Sequence, residues 1–357
     1  MSAHLAAKVS VSHDQQADPS RLAAIYDDMA AKFQRHGLTL PAVQAMRQYF
    51  TNLEGTGPPA PLDYEQFVPP LPENAVRLCV VFFQETNRRL MELVHEAAQE
   101  IMAALPAGAR FHLNRPSHYH ITVFMTSQPH TLRPDPFVPG GGLPVERGAE
   151  ETAAAARPNP ATLLQEVAEM RSLAASSAAP HLEVGRRRRR KGWLGRGLAQ
   201  HGMRGCPEAL SALPLADPAG IVAAHRQAAP GVAMDLDASV HRLLMADSGT
   251  LLLCSVDRSG NLARLRARLR ASFPGAPSTQ SSIMHASIGR ILSTEQLTVA
   301  EIERVQAACD RWSEQLRGMQ FDPEVLYHIC ERTFTTVEGP RIPLPFQQNG
   351  KLQSATR

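Results

Sequence analysis

The sequence predicts a duplicated α/β protein, two similar halves of mixed helix and strand, and three observations carry that prediction. Short β-branched and aromatic runs alternate with amphipathic helical stretches. The same order of strand, helix and strand occurs before and after a long central segment of different composition. In each half, the strand after the helix carries a histidine two residues before a hydroxyl: "YHITV" at 119–123 and "MHASI" at 284–288.

The elements follow in chain order. Residues 18–54 read as helical. "DPSRLAAIYDDMAAKFQRHG" opens on a capping Asp or Ser and closes on Gly37, with Leu22, Ile25, Met29 and Phe33 at helical spacing. A second helix fits "PAVQAMRQYFTNL", and a Pro-rich connector runs to Asn74. We expect this region to be a helical extension packed on the main domain. "AVRLCVVFFQ" is a buried strand, "NRRLMELVHEAAQEIMAAL" an amphipathic helix, and "RFHLNRPSHYHITVFMT" one more strand, making a β-α-β unit.

From about 129 to 233 the chain is rich in Ala, Pro and Arg and reads as a low-complexity insert, with one helix expected in "ATLLQEVAEMRSLAAS". Order resumes at "ASVHRLLMADSGTLLLCSVD", a hairpin turning at Asp247-Ser248-Gly249. A helix at "NLARLRARLRASF" points Leu262, Leu265 and Leu269 inward. The strand "SSIMHASIGRIL", the helix "TVAEIERVQAACDRWSEQLRGM" and one or two strands in "EVLYHICERTFTTVEGPRIPLPF" complete the chain.

Composition narrows the function. The 357 residues are ample to bury a core, and a net charge of +3 is too small to argue for nucleic acid by itself. The five cysteines are scattered and form no C-x-x-C, so neither a zinc site nor a disulfide framework is indicated. The first residues hold no apolar core of signal-peptide length, and no apolar run approaches the roughly 20 residues that span a bilayer. The expectation is an intracellular protein, cytoplasmic or nuclear, with no membrane contact, and a monomer.

The histidine–hydroxyl pairs carry the chemistry. Residues i and i+2 share a face of a strand. His120 and Thr122 therefore point one way while Tyr119, Ile121 and Val123 point the other. His285 and Ser287 likewise oppose Met284, Ala286 and Ile288. With 14 histidines and 39 serines and threonines, about 1.5 H-x-[ST] triplets arise by chance. The count alone is therefore uninformative. The apolar flanks, the strand context and the equivalent positions in two halves are what single these out. Two imidazoles on opposite sides of one phosphorus atom can serve as base and acid for in-line displacement, and the two hydroxyls can hydrogen-bond the non-bridging oxygens. The scheme requires no metal and no cofactor.

These motifs resemble those of the 2H phosphoesterase superfamily, the group of LigT-like RNA ligases and cyclic phosphodiesterases. The resemblance covers residues 75–128 and about 234–346. It implies a bilobal duplicated α+β fold, two antiparallel sheets around a central cleft with outer helices. The domain would span 71–350, interrupted by the insert at about 129–233 and preceded by the extension and linker of 1–70. It also implies metal-independent cleavage of 2′,3′-cyclic nucleotide phosphates or related RNA-terminal phosphodiesters. His120, Thr122, His285 and Ser287 would be the catalytic quartet, and Arg290 matches a basic residue found soon after the second motif in many members. "HAS" departs from the usual larger middle residue and threonine, though serine keeps the hydroxyl. A nucleotide- or RNA-binding protein that keeps the cleft with weak catalysis is the rival expectation.

Other residues complete the expected site. His118 shares the face of His120; it is either a cleft-mouth contact or a solvated strand-end histidine. Phe82, Phe83 or Tyr327 can stack on a base, with Phe83 and Tyr327 the named candidates. His328 faces away from Tyr327. The run Arg186 to Lys191 is either an RNA contact or a solvated charged loop.

Overall fold

The computed structural model describes residues 19–83, 87–140, 143–144, 157–177, 182–184, 239–257 and 259–347. The chain order is α1 (Pro19–His36), α2 (Leu40–Arg47), β1 (Val76–Phe82), α3 (Arg88–Ala103), β2 (Phe111–Leu113), β3 (His120–Ser127), α4 (Pro160–Ala175) and β4 (Leu182–Val184). There follow β5 (Ser239–Met245), β6 (Thr250–Val256), α5 (Asn261–Ser272), β7 (Met284–Ile291), α6 (Val299–Leu316), β8 (Met319–Phe321), β9 (Val325–Glu331) and β10 (Arg341–Pro345). Helices and antiparallel sheets together make an α+β protein.

Two sheets hold the architecture. One runs β10-β9-β1-β3; the other runs β8-β4-β6-β7-β2, with β5 also paired to β6. Each sheet takes strands from both ends of the sequence. β2 leaves the first half to pair with β7, and β9 leaves the second half to pair with β1. The two sequence halves are therefore interlocked rather than separate bodies.

The single strand expected over 110–126 is two. Pro116 has no N–H to donate to a ladder, and it opens a 3-10 turn, Pro116–His118, that separates β2 in one sheet from β3 in the other. The unit is thus not a parallel β-α-β, because β1 and β3 are antiparallel neighbours. The hairpin of β5 and β6 turns where expected, with Gly249 at φ 79°, a left-handed conformation that favours glycine, close beside the Ile291 carbonyl.

The main core lies between the sheets and their helices. Cys79 and Val81 of β1, Phe83 just after it, Ile121 and Val123 of β3, and Met284, Ala286 and Ile288 of β7 enter it. So do Leu22, Tyr26, Ala30 and Phe33 of α1, all buried. Tyr26 donates its hydroxyl to the Ser255 carbonyl at 2.8 Å and accepts the Met284 N–H at 3.0 Å. The N-terminal helix thus packs on the larger sheet, and Tyr26 joins it to the main chains of β6 and β7.

The expected insert also contributes to the core. Met170 and Ala174 of α4 are fully buried. Glu166 of α4 accepts hydrogen bonds from Arg77 Nε at 2.9 Å, from His328 Nε2 at 3.0 Å and from the Thr126 hydroxyl. β4 adds a strand to the larger sheet. Cys79, Cys254, Cys309 and Cys330 are buried and free; Cys206 lies outside the described residues. Among the described residues, no helix is long and apolar enough to cross a membrane.

Candidate active site

β3 is the outer strand of its sheet and sets His120 opposite Phe82 and Thr122 opposite Val80. Cross-strand partners share a face, so His120, Thr122, Phe82 and Val80 lie on one side. Tyr327, opposite Val80 on β9, joins them. The other face of β3 is anchored by Tyr119, Ile121 and Val123, all buried. In β7 the alternation repeats: Met284, Ala286 and Ile288 are buried, while His285 and Ser287 are half-buried. β3 and β7 pack against each other where the two sheets meet. Local alternation sets each pair on the strand face opposite its apolar anchors.

The imidazoles are in different surroundings. His120 is 8% exposed, and its Nδ1 lies 2.6 Å from the His118 carbonyl oxygen. A carbonyl can only accept, so Nδ1 carries the proton and Nε2 is left for another group. His285 Nδ1 is buried without a hydrogen bond. The Ile283 carbonyl nearby favours charge on the ring, but it accepts from Arg266 Nη2 at 3.3 Å. Burial pushes both imidazoles down to about 4. At His120 the charges of His118 and Arg341 add to the effect, and at His285 those of Arg266, His120 and Arg290. His120 thus lies within electrostatic reach of His285.

The hydroxyls of Thr122 and Ser287 are half-buried, and neither has a hydrogen-bond partner among the described residues. The Ser287 main chain is held by Asn114, whose Nδ2 donates to its carbonyl at 2.9 Å. Arg290 follows on β7. It is half-buried, forms no ion pair among the described residues, and is pushed down by burial to about 10. A desolvated guanidinium beside an imidazole, with no carboxylate to neutralise it, suits an anion.

Two expectations change. His118 is not a strand residue and not solvated: it sits buried in the 3-10 turn, with its Nε2 3.2 Å from Glu338 Oε1. It reaches the site through its backbone carbonyl. Phe83 is 1% exposed and stacks on Phe321 at 4.3 Å inside the core, because residue 83 has the parity of Cys79 and Val81. Phe82 lies on the His120 side but is itself only 2% exposed, packed with Leu78, Val80, Ile329 and Val337. Its ring lies 6.3 Å from His120 and 5.3 Å from Tyr327, both edge to face, and the Arg341 guanidinium lies 4.6 Å above it. Tyr327 keeps its expected position, and His328 faces away from it toward Glu166. Arg186 to Lys191 lie outside the described residues.

Sequence reasoning missed Arg341 and Arg266. Arg341 comes from a strand distant in sequence and carries no local signal. Arg266 has one: it lies four residues after Leu262 on the apolar stripe of α5, where a charge is out of place.

A cavity of about 690 Å³ opens between the Pro-rich connector and the β9–β10 turn. Asp63, Glu65, Glu73, Glu331 and Glu338 line it together with Arg332. Among the described residues, no group of three or more His, Cys, Asp or Glu could hold a metal ion.

No family model matches the chain, and no curated protein matches it. Among solved structures, that of Kluyveromyces marxianus Usb1 is similar at 10% identity and a TM-score of 0.36, covering 77% of this chain and 99% of that one. So loose a likeness carries no argument, and the functional reading stands on the side chains described above.

Proposed function

We propose that the chain is a phosphodiesterase of the 2H type, hydrolysing 2′,3′-cyclic nucleotide phosphates or related RNA-terminal phosphodiesters by acid–base catalysis between His120 and His285. One observation carries the reading. Two imidazoles from different sheets sit within electrostatic reach, each followed two residues later by a hydroxyl with no hydrogen-bond partner among the described residues.

The chemistry follows. One neutral imidazole takes a proton from water as its oxygen attacks phosphorus. The other, charged, gives a proton to the leaving ribose oxygen as the P–O bond opposite breaks. The hydroxyls of Thr122 and Ser287 donate to the non-bridging oxygens, and Arg290 and Arg341 offset their charge. Half-buried Tyr327, edge to face with the buried Phe82, offers the base an aromatic contact beside His120.

The test is to incubate purified protein with 2′,3′-cyclic nucleotides, with and without chelator. Ring-opened product that survives chelation supports the reading. Binding without product supports the second reading, a nucleotide- or RNA-binding protein. One observation favours that rival: both imidazoles are pushed down to about 4, so little of the charged acid exists near neutral pH before substrate arrives.

A further inference from the structure

Arg266 bonds the main chains of both motif segments yet takes no part in the chemistry above. It is 2% exposed on α5, a helix whose start is held by Asp257 Oδ2 accepting the Leu262 N–H at 2.7 Å. The guanidinium reaches three main-chain carbonyls. Nε donates to Val123 at 3.0 Å, and Nη2 donates to Thr122 at 2.9 Å and to Ile283 at 3.3 Å.

The local sequence explains why those carbonyls need it. The β1–β3 register steps from Cys79↔Phe124 to Val80↔Thr122, which leaves Val123 with no residue opposite. Such a bulge frees main-chain groups from the ladder, and a buried carbonyl must find another donor. Arg266 serves the two carbonyls at the bulge. It also holds Ile283, the residue just before β7, so a single side chain ties the segment of His120 and Thr122 to that of His285 and Ser287.

We infer that Arg266 is a positioning residue that fixes the two histidine–hydroxyl pairs against each other and presents its charge to His285. The inference rests on the phosphodiesterase reading for its kinetic consequence, but not for its geometry. A planar fork can meet three acceptors at set angles; a lysine ammonium carries the same charge without that fork. The groups facing Arg266 are Tyr26 from α1, Cys79 from β1 and Asp257 before α5. Those facing His285 are Arg266, His120 and Arg290. Of these, Arg266 has the largest effect on the imidazole after burial itself, and it disfavours the charged ring.

Two variants separate the roles. Arg266→Lys keeps the charge and loses the fork: turnover of 2′,3′-cyclic nucleotide should fall by about 10- to 100-fold, with His285 titrating close to wild type. Arg266→Gln loses both: turnover falls at least as far, and His285, followed by its ring Cε1–H NMR signal, titrates at higher pH. A folded Arg266→Gln protein with unchanged His285 titration and unchanged kcat overturns the inference. If Arg266→Gln does not fold, Arg266→Lys decides alone: a kcat equal to wild type overturns the clamp, and the expected fall supports it. If the wild type turns over no phosphodiester, the functional proposal fails, while the His285 titration in Arg266→Gln against wild type still decides the charge effect.

Discussion

The Nδ1 of His120 lies 2.6 Å from the carbonyl oxygen of His118. That contact fixes the tautomer, and the fixed tautomer points Nε2 away from the main chain as the nitrogen able to exchange a proton. His118 is itself held, through its ring, by Glu338. The motif histidine is therefore oriented by the backbone of the turn that precedes its strand.

The ionisation of the pair predicts the pH dependence. Burial lowers both imidazoles to about 4, so both are neutral at pH 7 in the free protein. Catalysis needs one of them charged, and that form becomes scarcer as pH rises. kcat/KM, which reports the free enzyme, should peak on the acid side of neutrality and fall by up to about tenfold per pH unit from pH 5 to 8. A profile that is flat across that range, or that peaks above pH 8, says that neither imidazole has to be charged.

The hydroxyls predict a graded series. Thr122→Ala and Ser287→Ala each remove a donor aimed at the transition-state charge, and kcat should fall by about 10²- to 10³-fold. Ser287→Thr restores the hydroxyl and should recover most of the rate. Steady-state kinetics on one cyclic substrate checks all three; equal kcat in wild type and Ser287→Ala assigns the hydroxyl no role.

The ion pair between Glu166 and Arg77 predicts a stability effect far from the chemistry. Both side chains are fully buried, and leaving one without the other should cost about 3–5 kcal/mol. Glu166→Ala should show this as a lower urea midpoint at pH 7. Burial works against the charge on Glu166, yet Arg77, His328 and Thr126 hold its carboxyl down to about 2. Because the folded value lies below the unfolded one, this contribution is present above the ordinary carboxylate range. It is lost as pH falls toward 2. The gap between wild type and Glu166→Ala should therefore narrow in acid.

The sequence reading succeeded where the signal is local. Period-two alternation placed His120 with Thr122 and His285 with Ser287, opposite their apolar anchors, and helical spacing located α1, α3, α5 and α6. It failed where the answer depends on partners. Whether Phe82 or Phe83 faces His120 depends on strand parity, and a shift of one residue exchanges them. The exchange of β2 and β9 between sheets leaves no mark on either segment. Glu166 sits in a stretch whose alanines read as low complexity, and only Arg77, Thr126 and His328 reveal why an acid belongs there.

Single-site replacement of the two histidines tests the central claim most directly. Turnover of a 2′,3′-cyclic nucleotide should fall by at least about 10²-fold in both His120→Ala and His285→Ala, with the folded state retained in each. A His285→Ala protein that keeps wild-type turnover would contradict the paired mechanism.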